Sequence, residues 1–215
     1  MMGAREQAAV TRVILVRHGE TEWNRVERFR GRADIPLNAT GLAQAEATAR
    51  RIHAMWRVNA VYCSPLSRAA RTAQAIATPF PLTVTPLQDL VDIDYGQWQG
   101  KSPEEVGFLW PELLSAWYEN PHTVRIPDGE SLADLRARCR RALGQVVERH
   151  REECVVVVGH TVINRVILLE VLGLGNDRFW RLGQDNCAIN EIEARDGYFT
   201  LESMNDTCHL RVAGG

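Results

Sequence analysis

Four consecutive aliphatic residues, Val13-Ile14-Leu15-Val16, run straight into Arg17-His18-Gly19. A strand with one wet face alternates apolar and polar side chains. An unbroken apolar run instead marks a strand covered on both faces, as in a parallel sheet. This run therefore constrains the chain to a layered α/β architecture, with the polar triplet at the strand's carboxyl end. In open α/β sheets ligands sit at that edge. A second segment repeats the pattern, since the apolar stretch Cys154 to Val158 ends in Gly159-His160. Neighbouring strands lie about 4.8 Å apart, so if these two are neighbours their imidazoles share one pocket.

The remaining chain supplies the covering layers. Residues 1–11 read as a frayed tail, and residues 18–38, rich in charge with Gly19, Gly31 and Pro36, as a long functional loop. Thr40 serves as an N-cap for a helix with Leu42, Ala45, Ala49, Ile52 and Met55 on one face. A strand follows at 59–63, then a helix at 67–77 broken by Pro79 and Pro81, and a strand at 82–85. Short helices at 103–109 and 111–119 fall in an insertion of about 97–130 that caps the site. Ser131 with Asp134 resembles a capping box for a helix reaching about residue 149. A helix after His160 extends to about residue 172, and a hairpin follows at 188–193 and 198–203 around Asp196-Gly197. The expected fold is a three-layer α/β/α sandwich around a mostly parallel central sheet, with residues 1–215 forming one domain.

Composition narrows the function classes. The 215 residues carry a net charge of −2, so no global field favours nucleic acid or an anionic membrane, and any anion site is local. No basic stripe suggests a nucleic-acid partner. Five cysteines, an odd number with no Cys-x-x-Cys pair, argue against a disulfide framework or zinc site and for a reducing compartment. The first dozen residues lack a signal peptide's apolar core, and no run approaches a membrane span. A cytoplasmic protein is expected, with a homodimer as an open assembly.

Two histidines beside an arginine suit phosphoryl transfer. Neutral imidazole is a nucleophile, and imidazolium donates to an anion. Arginine matches phosphate oxygens with a planar fork. Gly19 lets backbone approach a ligand closely. A metal is the competing reading for a histidine pair, but it wants a third ligand, and the Arg17 cation disfavours a divalent ion. A third element, Ser64 to Ala73, opens a helix after a strand. Its N-terminus attracts phosphate, and Arg68 in the first turn opposes the dipole, which suggests a ligand anion nearby. Arg71 reads as a solvated surface residue.

Taken together, these stretches resemble the histidine phosphatase superfamily, in its phosphoglycerate mutase-like branch. The resemblance rests on Arg17-His18-Gly19-Glu20-Thr21 with Asn24, on Gly31 to Leu37 and on Ser64 to Ala73. It continues through Tyr95-Gly96-Gln97-Trp98-Gln99-Gly100, Gly129-Glu130-Ser131 and Gly159-His160, over residues 12 to about 172. It implies that His18 becomes a phosphohistidine, that Arg17, Arg68 and His160 clamp the phosphate, and that no metal or other cofactor is used. Asn24, Gly31 and Thr161 are implied as further substrate contacts. The family's proton donor is commonly a glutamate four residues before the glycine of the Tyr-Gly motif. Counting back from Gly96 gives Asp92, a carboxylate one methylene shorter. Asp94 and Glu20 are the fallbacks.

The resemblance implies a phosphatase acting on small anionic phosphomonoesters. A cofactor-dependent phosphoglycerate mutase and a non-catalytic binding module are the alternatives. Arg25, Arg28, Arg30 and Arg32 either read a second acidic group or form a solvated face. Trp23, Phe29, Phe108, Trp110, Trp117 and Tyr118 form either an apolar lid or core beneath the loops.

Overall fold

The computed structural model describes residues 10–211. Of the expected tail, residues 1–9 lie outside the described residues, and Thr11 already belongs to the first strand. In chain order the elements are β1 (Thr11–Arg17), α1 (Glu22–Arg25), α2 (Ala39–Met55), β2 (Ala60–Cys63), α3 (Ser67–Ala77) and β3 (Val84–Pro86). Then come α4 (Pro103–Leu109), α5 (Pro111–Glu119), α6 (Leu132–Arg149), β4 (Cys154–Gly159), α7 (Thr161–Val171), β5 (Ile189–Arg195) and β6 (Tyr198–Asp206). The sheet order is β3-β2-β4-β1-β5-β6. β1 to β4 run parallel, and the β5–β6 hairpin adds two antiparallel strands at one side.

The pleat divides the apolar run of β1 between two cores. Val13 and Leu15, with Tyr62, Val155 and Val157, pack beneath α6 and α7. Ile14 and Val16, with Val61, Cys63, Val156 and Val158, pack beneath α2 and α3. Helices thus cover both faces, which gives the expected three layers and explains why β1 and β4 show no polar alternation.

Most element boundaries agree with the sequence pattern, and α4, α5 and the Ser131–Asp134 capping box stand where the sequence places them. The start of α2 differs. Its N-cap is Asn38, whose side chain accepts from the Gly41 amide, and not Thr40. The buried stripe is also turned, to Gly41, Ala45, Thr48, Ala49 and Ile52, leaving Leu42 39% and Met55 53% exposed. Gly41 causes this rotation, because the backbone of Gly19 and Glu20 crosses directly over it. A Cβ on Gly41 would sit 2.1 Å from the Glu20 carbonyl oxygen, and one on Gly19 would sit 2.4 Å from that of Gly41. Among the described residues no helix is long and apolar enough to cross a membrane.

Alanine normally stabilises a helix over glycine by about 1 kcal/mol. Gly41→Ala should do the reverse here and destabilise the fold by about 1–3 kcal/mol, the usual cost of forcing atoms into a packed contact. Chemical denaturation of the variant checks this; an unchanged or raised midpoint would show that the crossing is loose.

Candidate active site

Pairing of β1 with β4 aligns Arg17 with Gly159, so each following residue is a histidine at the same sheet edge. The His18 and His160 rings lie edge to face with centroids 5.1 Å apart. Both side chains are buried. His18 Nδ1 lies 2.6 Å from the Gly19 carbonyl oxygen. A carbonyl only accepts, so Nδ1 carries the proton and Nε2 keeps a lone pair. His160 is held in the opposite sense, because Arg68 Nε donates to its Nδ1 at 3.2 Å. The proton of neutral His160 is therefore on Nε2, a buried atom with no partner among the described residues. One imidazole presents a lone pair, the other an N–H.

Burial is the main cause that pushes both histidines well below their ordinary value of 6.5, with the Arg68 cation next. Both are neutral at physiological pH. Arg17 is also desolvated, which lowers its value to about 9, still protonated near neutrality. Its Nη1 donates to the Gln184 carbonyl at 2.7 Å, and its Nε is buried without a partner. Gln184 is in turn tied to β1 through Asn190, which takes its Nε2 hydrogen at 2.8 Å and donates to Leu15 O at 3.0 Å. Sequence reasoning found neither Gln184 nor Asn190, since neither sits in a recognisable motif.

Arg68 is fully buried. Its first-turn position is not left facing an open helix N-terminus, because Asp34 already accepts from the Ser67 amide at 2.7 Å. The phosphate attraction expected of that N-terminus is thus taken by a carboxylate of the chain. Arg68 is largely committed: beyond His160, Nη1 reaches Ala33 O at 2.7 Å, and Nη2 reaches Gly31 O at 2.8 Å and Asp92 Oδ2 at 3.4 Å. Of five donors one on Nη1 is left, so Arg68 acts mainly by fixing His160 and Asp92. At Gly31 a positive φ of 51° turns the loop so that its carbonyl anchors Arg68.

Asp92 is buried, and burial raises its carboxyl above the ordinary 3.8 despite the opposing Arg68 charge. Its Oδ2 lies 3.8 Å from His160 Nδ1. Arg138 pins the preceding turn, donating to the carbonyls of Asp89 at 2.9 Å and Asp92 at 3.1 Å and to that of Val91. Glu130 pairs with Arg138 at 2.9 Å. The fallback carboxylates have other partners: Asp94 pairs with Arg32 at 3.0 Å, and Glu20 accepts from Asn38 at 2.7 Å.

A cleft of about 380 Å³ opens beside this cluster, with Arg17, Asn24, Asp92 and Thr161 on its wall. His18 and His160 are buried next to Arg17 and Thr161 in the chain, and Arg68 is buried against Asp92. Asn24 uses Oδ1 to accept from Thr21, and Thr161 Oγ1 is buried without a partner. Of the loop arginines, Arg28 and Arg30 reach the cleft. Arg25 pairs with Glu22 on the surface, and Arg32 with Asp94 and Glu130. Of the aromatics, Phe29 and Tyr118 line the cleft, Trp117 is core and Phe108 is 87% exposed. The cleft also holds Arg165, Phe179 and Trp180, which the sequence did not single out. Among the described residues no group of three or more His, Cys, Asp or Glu converges on a metal-sized point.

The family model described as histidine phosphatase superfamily (branch 1) matches residues 13–207. The chain belongs to that superfamily. Within it, phosphoserine phosphatase 1 of Hydrogenobacter thermophilus is 37% identical over 94% of this chain and 95% of its own length. A metal-independent phosphoserine phosphatase of Arabidopsis thaliana is 36% identical over 97% of this chain and 87% of its own. A crystal structure of the Entamoeba histolytica phosphoserine phosphatase, in complex with 3-phosphoglyceric acid, superposes with a TM-score of 0.82. It is 29% identical, over 94% of this chain and all of that one.

Burial of two neutral histidines makes this histidine phosphatase superfamily member acid-sensitive. Its unfolded chain takes up protons below about 6.5 while the fold resists them, so this stability is present above 6.5 and lost as pH falls. Asp92, raised above 3.8, works in the opposite sense, with its contribution present in acid and lost as pH rises. From pH about 7.5 to 5.5 the unfolding free energy should therefore fall, by up to about 1.4 kcal/mol per pH unit per histidine. His18→Ala should flatten that slope; denaturation curves showing an identical slope would contradict the burial of His18 as the neutral form.

Proposed function

We propose that the chain is a metal-independent phosphatase that hydrolyses small anionic phosphomonoesters through a phosphohistidine on His18. One observation carries this reading. Arg17 Nε, Arg30 Nε, His160 Nε2 and Thr161 Oγ1 are all buried without a partner, four of nine such atoms among the described residues. Buried donors are normally satisfied, and a tetrahedral dianion satisfies all four. Arginine cations supply the positive charge that an equatorial oxygen cluster needs.

The steps follow from the tautomers. His18 Nε2 attacks phosphorus with its lone pair as the ester P–O bond breaks. Asp92, whose proton affinity burial raises, gives a proton to the leaving oxygen. Water then attacks the phosphohistidine, Asp92 takes the water's proton, and the P–N bond breaks to free phosphate and neutral His18. The Arg138 tether compensates for the short aspartate arm by fixing the backbone that carries it. The relatives named above are phosphatases, which favours hydrolysis over the mutase and binding-module alternatives. Their names and the bound 3-phosphoglyceric acid support substrates of the phosphoserine and phosphoglycerate kind. The match over residues 13–207 supports reading the chain as one domain.

His18→Ala should lower turnover of phosphoserine and of p-nitrophenyl phosphate alike, by on the order of 10⁴-fold. Asp92→Asn should slow the first-step release of serine from phosphoserine by about 10²- to 10⁴-fold, the usual contribution of a positioned acid, and that of p-nitrophenolate far less. Single-turnover assays on both substrates, which read the first step alone, decide it: wild-type rates in His18→Ala exclude the nucleophile, and equal first-step effects of Asp92→Asn exclude the acid.

A further inference from the structure

We infer that Arg165 is the residue that recognises the substrate's carboxylate, so that the cleft selects phosphomonoesters carrying a second acid a short distance from the phosphate. This rests on the phosphatase reading and deepens it. Arg165 lies four residues after Thr161 in α7, so the two share one helical face, about 6 Å apart along the axis. Thr161 presents its unpartnered hydroxyl at the phosphate end of the cleft, and Arg165 lines the same cleft one turn further on.

The guanidinium is built in place. Its carbon lies 5.1 Å from the Phe179 ring centroid and 5.0 Å from that of Trp180. Trp180 is fixed by donating to Trp117 O at 2.6 Å. Arg165 Nε donates to Leu182 O at 2.7 Å. Stacking plus one backbone bond sets the plane of the fork and leaves Nη1 and Nη2 uncommitted. No described carboxylate forms an ion pair with it, whereas Arg136 and Arg140 share Glu170 and the cleft's Arg28 meets Glu105. Burial lowers its pKa, while Asp185, which forms no ion pair with it, opposes that shift. A planar, desolvated, unpaired fork is suited to a bidentate carboxylate.

Arg30, another cleft cation without an ion pair, is assigned to the phosphate end, with its Nη1 on Trp23 O at 3.2 Å and its Nε among the unpartnered donors. The two cations therefore predict different losses. Kinetics on matched pairs separates them: phosphoserine against phosphoethanolamine, and 3-phosphoglycerate against glycerol phosphate, each second member lacking the carboxylate. Wild type should favour the carboxylate member by roughly 10- to 100-fold in kcat/KM, the worth of a charged hydrogen-bonded pair. Arg165→Gln should abolish that preference, chiefly through KM, while leaving the carboxylate-free substrates near wild type. Arg165→Lys should restore part of it, and Arg30→Gln should slow both members of each pair. A wild type with no preference, or an Arg165→Gln variant impaired equally on both members, overturns the assignment. Failure of wild type to hydrolyse any of the four overturns the phosphatase reading as well, a different outcome.

Discussion

The register between β1 and β4 is the constraint on which the site depends. Two buried parallel strands, hydrogen-bonded so that Arg17 stands opposite Gly159, bring two histidines 142 residues apart in sequence into edge contact. A slip of one residue would turn every side chain of β1 to the other core and carry His18 away from His160. Both cores oppose such a slip, because Ile14 and Val16 fill one while Val13 and Leu15 fill the other. Packing energy spread over the whole sheet thus holds a geometry used at a single edge.

Around that pair, hydrogen bonds settle what the histidines can do. The Gly19 carbonyl fixes one tautomer and the Arg68 Nε–H fixes the other. Burial keeps both rings neutral and raises the proton affinity of Asp92, so one desolvated environment suits both the nucleophile and the acid proposed for it. The cost is a set of buried donors with nothing to bind within the chain. Such donors destabilise the fold alone and favour an anion once it enters.

Much of this was legible in the residues. Unbroken apolar strands announced the parallel sheet, and the two strand-terminal histidines announced the pocket. The family resemblance, and not the residues alone, pointed to Asp92 four residues before Gly96, and the structure buries it beside Arg68 while Asp94 and Glu20 are engaged elsewhere. What stayed hidden depends on contacts between distant segments. The resemblance implied Gly31 as a substrate contact, and nothing local in the sequence shows that its carbonyl also holds Arg68. Gln184, Asn190 and Arg138 carry no local pattern that reveals which backbone carbonyls they meet. Arg165 looked like any helical arginine until Phe179 and Trp180, from a later turn, were found stacked against it. The rotated face of α2 was missed because apolar spacing alone favours Leu42 over Gly41, whereas a backbone crossing requires the glycine.

In the proposed mechanism His18 carries the phosphoryl group. The most direct measurement is mass mapping of the Asp92→Asn enzyme, quenched in alkali during turnover of p-nitrophenyl phosphate. A good leaving group lets the first step proceed, and loss of the base slows the second, so the intermediate accumulates. A phosphoryl adduct on the peptide containing His18, absent when His18 is replaced, is the expected result. Continued turnover with no adduct, or an adduct on any other residue, would contradict the account.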